Sequence, residues 1–537
     1  MKKVFANNIS SAHQSAVNRR RRMIIQYDAM DPNSLLGTNF EQWLKFRFQY
    51  PDDAGSQVDS IIWDVGWGNS AIYPSQVLPA NQNKDFGLWR KAGIDFVGRL
   101  VEETHQRGLE AIWNHRISEV DISPELGLEM KKRFSVKAKH PDWLLQTWWW
   151  QGLWDLTSPG LRAYKVQIIR ELAESYDFDG FQIDFSRHVP CLPAGRQWEL
   201  RDHATQLMRQ VRQMLQEVAV KKGKPILLSA KVPETLEGCR VDGFDIAIWA
   251  KENLVDFLSL GSRTLDVDVK GYRKMVAGQN IKLYPCLDDH HASDGYKFPP
   301  IEVFRGVFSN WLAQGADGVE TFNWSNADAV LCKRLKVPAG PKSHRQAYLE
   351  CGEKKTMAGK DKIFVVERRG GYPWAEGYFN QNLQSPLPAK LANNGRPLTL
   401  NIYASESPSS QKDKMAKVSL RLVLFGAFRE DEIEANLNGQ MLKSGQRDFA
   451  WKDGQIFSPN PQPESGRYEI YPIDPNQKLL RMEFHVPAKL LKADNNKVTV
   501  RVTKRGIYPL CQNVQVEKAE IHVRYALVSK ASTMSVR

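Results

Sequence analysis

Residues 177–190, DFDGFQIDFSRHVP, place a carboxylate, Asp184, directly after a short apolar run and follow it with Ser186, Arg187 and His188. In a barrel of parallel strands, the carboxyl end of a strand is where active sites form. The competing reading is an Asp that caps the next helix or pairs with Arg187 in a plain ion-pair network. The catalytic reading is favoured because the pattern recurs. Asp28 closes MIIQYD, Asp64 closes SIIWD, and Asn114, His115, Arg116 and Glu119 follow LEAIW. Lys231 and Glu234 end PILLSAKVPE, and Asp288, Asp289, His290 and His291 end IKLYPCLDDHH. Glu320, Asn323 and Trp324 lie in GVETFNW.

Cleaving a glycosidic bond takes two carboxyl groups, one to protonate the leaving oxygen and one to attack or to activate water. Asp184 is the first candidate; Asp288, Glu320 and Glu234 are candidates for its partner. Asp288 ends a strand nearly opposite. Glu320 lies inside its strand, where a buried hydrogen-bonding role competes. Glu234 follows a proline and competes as a helix cap, and alternation turns Asp289 away from Asp288. The expected substrate-binding set is Asp28, Trp63, Asp64, Asn114, His115, Arg116, Glu119, Arg187, His188, Lys231, His290, Asn323 and Trp324. The chain has 16 tryptophans, whose flat faces suit sugar C–H surfaces, although barrel-to-helix packing takes about half of them. The clustered histidines raise a metal reading, but the first strand offers Asp28 in place of an HxH pair. No GxSxG elbow marks a nucleophilic serine. Neither metal nor cofactor is expected.

The elements that must position these residues are eight apolar, mostly β-branched runs alternating with helical stretches. They predict a (β/α)8 TIM barrel. A doubly wound sheet competes, but no Gly-rich phosphate loop follows the first strand. Helices are expected near residues 40–48, 89–107, 161–175, 198–221, 246–252 and 302–313, with the Trp-rich residues 143–154 as a loop over the cleft. From about residue 398, alternating segments separated by turn residues predict an antiparallel β-sandwich. The expected organisation is a loose polar arm (1–22), the catalytic barrel (23–355), a connecting segment (356–397) and an accessory sandwich (398–537). Part of the connecting segment, 363–378, is expected to pair with the sandwich sheet.

Composition bounds the reading. A chain of 537 residues exceeds one ordinary core. Its 42% hydrophobic and 25% charged residues are globular values. No run approaches the roughly 18 apolar residues that span a bilayer. The net charge of +13 is dispersed apart from Arg19–Arg22. No nucleic-acid motif or amphipathic basic helix accompanies it, so a carbohydrate partner, anionic or sulfated glycans included, is favoured over nucleic acid and membrane. Six cysteines without CxxC spacing read as free core thiols. The start, MKKVFANNISS, lacks an apolar h-region. The default expectation is therefore a cytoplasmic protein unless an export signal has been removed.

The segments HQRGLEAIWNHRIS, FDGFQIDFSRHVP and LLSAKVPETLEGC, with GFDIAIWAKENLVDFLSLG, resemble the glycosyl-hydrolase-like TIM barrels. A looser similarity is to the alpha-amylase superfamily, through Asn114-His115, through Gly180, Phe181, Asp184 and His188, and through the Asp after strand seven. Gln182 stands where amylases carry Arg, and no clean Glu ends strand five. The resemblance covers about residues 23–330. On the amylase pattern it implies a nucleophilic Asp184; on that of other glycosidase barrels, strand four carries the acid. The sandwich is similar to glycosidase accessory domains. The expectation is a glycoside hydrolase acting on a poly- or oligosaccharide, with a non-catalytic carbohydrate-binding barrel as the alternative.

Overall fold

The computed structural model describes residues 10–27, 39–64, 70–81, 84–118, 136–147, 152–262, 264–288, 295–296, 299–324, 342–368, 384–407, 415–453, 456, 478–506 and 513–526. Eight of its strands close a barrel: β1 (Met23–Tyr27), β2 (Val58–Trp63), β3 (Glu110–Arg116), β4 (Gly180–Asp184), β5 (Leu227–Val232), β6 (Phe257–Leu260), β7 (Lys282–Asp288) and β8 (Val319–Phe322). Each pairs in parallel with the next, and β8 returns to β1. Because helices cover the outside, both faces of these strands are buried, which is why they read as near-continuous apolar runs.

The described helices include α1 (Ser11–Val17), α2 (Phe40–Arg47), α3 (Lys84–Lys91), α4 (Phe96–Gln106), α5 (Pro159–Ser175), α6 (Arg201–Lys222), α7 (Ile246–Lys251), α8 (Val269–Met275), α9 (Ile301–Gln314) and α10 (Lys342–Glu350). The single helix expected over 89–107 is two. Gly93, at φ 76°, ends the first, and the Asp95 side chain accepts from Gly98 N to cap the second. Ser158 caps α5 in the same way, with Pro159 at its first position.

The stretch expected to be a loose arm forms α1, which seals the amino end of the barrel. Val17 joins Ile24, Ile62, Ile112, Leu227, Phe257 and Tyr284 in one apolar layer. Below it, Arg21 Nε and Nη2 donate to Glu110 at 2.6 and 2.7 Å, and Arg21 also donates to the carbonyls of Val17 and Ala16. His13 contacts Asp256 at 2.9 Å. The Trp-rich segment contains a two-stranded hairpin, Leu144–Leu145 with Leu153–Trp154. Trp154 is buried there, with the Lys137 and Lys165 ammoniums over its ring.

The C-terminal sandwich has its own core. Its strands are β9 (Lys362–Val365), β10 (Ala389–Lys390), β11 (Leu398–Tyr403), β12 (Met415–Phe425), β13 (Glu432–Leu437), β14 (Gln440–Met441), β15 (Lys443–Trp451), β16 (Leu479–His485), β17 (Asn495–Lys504) and β18 (Gln515–Tyr525). One sheet runs β9-β18-β12-β16-β15, with β10 also on β18; the other runs β11-β17-β13-β14. One of the alternating segments, residues 468–473 (YEIYPI), lies outside the described residues. Strand β9 pairs with β18, as expected for the connecting segment, and packs on α9. Gly306 makes that contact possible: a Cβ there would lie 2.0 Å from the Ile363 carbonyl oxygen.

Candidate active site

Strand alternation decides which predicted residues reach the barrel interior. On β4, Phe181 and Ile183 join the core between barrel and helices. Gln182 and Asp184 therefore point inward, and Gln182 Nε2 donates to Ser259 Oγ at 2.7 Å. The same parity brings Gln26, Lys231, Cys286 and Glu320 together from β1, β5, β7 and β8. Lys231 Nζ donates to Glu320 Oε1 at 3.0 Å, to Cys286 Sγ at 3.3 Å and to Gln26 Oε1. Ser259 Oγ donates to the other Glu320 oxygen. Burial alone would depress Lys231, but its interactions with Cys286, Glu320 and Asp184 outweigh it and hold the ammonium above its ordinary value. This fully buried pair supports the mouth from below.

Above it stand three aspartates. Asp64 follows β2 and accepts from Asn114 Nδ2 at 3.0 Å and from Arg116 Nε at 2.8 Å. Arg116 Nη2 lies 2.7 Å from the same oxygen, and both side chains are 1% exposed. Asp184 is in register with Arg116 on one side and Lys231 on the other. Its Oδ1 accepts from Ser186 N at 2.9 Å. Asp288, three strands round the barrel, accepts from Asn323 Nδ2 at 2.9 Å, and its own N–H donates to the Ser262 carbonyl at 2.6 Å. Arg187 reaches from the β4 loop to place its guanidinium 5.6 Å from the Phe322 ring centre on β8. His188 and Asn323 are non-glycine residues at φ 56° and 66°. Such backbone is uncommon and concentrates at functional sites.

Other expected site residues are elsewhere. His115 alternates away from Asn114 and Arg116 and is buried against the helices; burial, with Lys165 adding to it, pushes its imidazole well below the ordinary value. Trp63 stacks on Tyr27 at 5.0 Å and donates to Thr104 Oγ1 at 3.0 Å, so it packs outside the barrel. Trp324 stacks on His344 at 4.4 Å and donates to the Leu287 carbonyl at 3.0 Å. These two tryptophans belong to barrel-to-helix packing, not to a sugar platform. Glu320 and Lys231 neutralise each other one layer below the mouth. Glu234 is half-buried beside Gly261 and accepts from Ser262 N at 3.3 Å, tying the β5 and β6 loops together. Asp28, Glu119 and His290 lie outside the described residues. Sequence reasoning passed over Gln26, Ser259 and Cys286; their inward parity with Lys231 and Glu320 was the available signal. Among the described residues no three of His, Cys, Asp and Glu gather as a metal-binding group. No described helix is long and apolar enough to cross a membrane.

Comparison with known proteins gives the following. Residues 52–198, which run from just before β2 past the β4 loop, match the family model described as Glycosyl hydrolase-like 10. Glycosyl hydrolase DigH of Escherichia coli K12 is 25% identical over 135 residues. That match covers 24% of this chain and only 30% of the relative's own length. A trimodular GH5_4 subfamily endoglucanase aligns at 10% identity over 80% of this chain and 70% of that one, with a TM-score of 0.38. The GH36 alpha-galactosidase AgaA of Geobacillus stearothermophilus in complex with raffinose aligns at 10% identity, covering 90% and 56%, with a TM-score of 0.33. The barrel itself rests on its strand pairing, not on these alignments.

Proposed function

We propose that the chain is a glycoside hydrolase acting on a poly- or oligosaccharide, with Asp184 and Asp288 as its carboxylate pair. One observation carries this reading: Asp184 and Asp288 close inward-facing strand positions on β4 and β7, three strands apart around the barrel. Each has hydrogen-bond support, Asp184 from Ser186 N and Asp288 from the Asn323 side chain. The cationic neighbours of Asp184 in register suit a group that works as an anion, hence nucleophile or base. Asp288, held by the Asn323 side chain, is then assigned the proton donor. The glycosyl-hydrolase-like match over the segment carrying Asp64, Asn114, Arg116 and Asp184 supports the reaction class.

A non-catalytic carbohydrate-binding barrel is the second reading, favoured by the complete burial of Asp288. The test is product release from neutral, uronic and sulfated glycans by wild type, Asp184→Asn and Asp288→Asn. The hydrolase reading expects release that both substitutions abolish. Binding without release in all three proteins selects the binding barrel.

A further inference from the structure

A second cavity, of about 230 Å³, lies between the barrel and the sandwich, outside the mouth. Strand β11 builds one wall by alternation. Leu400 and Ile402 are buried in the sandwich core, which turns Asn401 and Tyr403 outward toward α9. Asn495 joins them, in register with Tyr403. Gln314 at the end of α9, Asp266 in the β6 loop, Asn310 and Glu367 complete the polar lining, and Trp311 forms part of the floor.

The walls are fixed by other groups. Asn310 donates to the Tyr403 carbonyl and accepts from Ser405 N, both at 2.8 Å. Glu367 accepts from Leu265 N at 2.7 Å, and Trp311 Nε1 donates to the Leu265 carbonyl at 3.2 Å. Among the described residues, the side chains of Gln314, Asn401, Asn495 and Tyr403 make no hydrogen bond of their own. Three amides and a phenol thus converge on a concave site with an aromatic floor.

The geometry points to a second carbohydrate site, one that holds a single uncharged glycosyl unit. Amides and a phenol both donate and accept, which matches sugar hydroxyls. Among the described residues the lining contains the carboxylates Asp266 and Glu367 and no lysine or arginine, so uronate and sulfate groups are disfavoured. The volume is below the roughly 300–1,000 Å³ of drug-sized pockets, which suits one sugar ring rather than a longer segment. The glycan class of the ligand rests on the reading of the barrel mouth. The two sites share the β6 loop, whose Ser262 carbonyl accepts from Asp288 N and whose Asp266 lines the cavity.

The test is calorimetric titration of Asp184→Asn, which does not turn over, with chitohexaose, cellohexaose and maltohexaose, and with hexagalacturonate as the charged comparison. At least one neutral hexasaccharide is expected to bind, and adding Tyr403→Ala or Asn401→Trp weakens it about tenfold. Neither substitution, made in the otherwise wild-type protein, changes hydrolysis of nitrophenyl monoglycosides. Asn401→Trp fills the cavity from a solvent-facing strand position, so its effect does not depend on a damaged fold. Affinity unchanged by both substitutions overturns the second site, as does wild-type hydrolysis of charged glycans with no neutral hexasaccharide bound. Binding that depends on Tyr403 in a protein that hydrolyses nothing keeps this site and removes the hydrolase.

Discussion

Asn323, held in left-handed backbone at φ 66°, donates its side-chain amide to Oδ2 of Asp288 at 2.9 Å. Neighbouring strands thereby hold a candidate acid by way of a residue in costly backbone geometry. A non-glycine residue in this region costs about 1–2 kcal/mol. A hydrogen bond contributes a net of about 0.5–1.5 kcal/mol. Asn323→Gly should therefore melt within about 1 kcal/mol of wild type yet lose roughly tenfold in kcat. Asn323→Ala should lose the same activity and melt lower. Equal activity in wild type and Asn323→Gly would show that this bond does not position Asp288.

The Lys231–Glu320 pair is completely buried, so removing one partner strands a charge. Lys231→Met should cost about 3–5 kcal/mol in denaturant unfolding. The double change Lys231→Met with Glu320→Gln should recover most of that loss, because it removes both charges. A double variant as unstable as the single one would assign the loss to packing instead.

Asp256 links α1, β5 and α6. It accepts from Leu228 N at 2.7 Å and pairs with Arg212 at 3.0 Å. Burial alone would raise its pKa, but Arg212 and then His13 outweigh it and hold the carboxyl at about 2. The folded value lies below the unfolded one of about 3.9. Its contribution is therefore complete above about pH 4 and is lost as pH falls toward about 2; for this buried group it is on the order of 2 kcal/mol. The stability gap between wild type and Asp256→Asn, followed by urea unfolding, should narrow across that window. A constant gap would contradict the assignment.

The close approach of Gly306 to the Ile363 carbonyl makes the barrel–sandwich contact sensitive to one carbon. Gly306→Ala must move either α9 or β9, at a cost of about 1–3 kcal/mol. Limited proteolysis should then cut the connecting segment sooner than in wild type. An unchanged cleavage rate and melting temperature would mean the two elements separate freely.

The barrel was legible because its strands are short apolar runs with helical stretches between them, and β2, β3, β4, β5 and β7 end in or beside polar residues that the structure aims inward, Asp64, Arg116, Asp184, Lys231 and Asp288. The facing of individual residues was not. In strands buried on both sides, hydrophobicity does not mark which parity points inward, so His115 was grouped with Asn114 and Arg116, and Trp63 with Asp64. Glu320 and Lys231 were legible as strand-end polar groups, but their mutual neutralisation joins β5 to β8 across the barrel and leaves no trace in either segment. The seal formed by α1 was hidden for a related reason. The polar residues of this arm looked solvated, whereas Arg21 and His13 are matched to Glu110 on β3 and to Asp256 just before β6.

The central claim, that Asp184 performs glycosidic chemistry, is tested most directly by product release from a panel of neutral, uronic and sulfated glycans. Wild type and Asp184→Asn are compared after both are shown to be folded by their melting transitions. The account predicts release by wild type from at least one glycan and a loss of at least about 10³-fold in the variant. Release that survives Asp184→Asn would remove this residue from the chemistry and contradict the account.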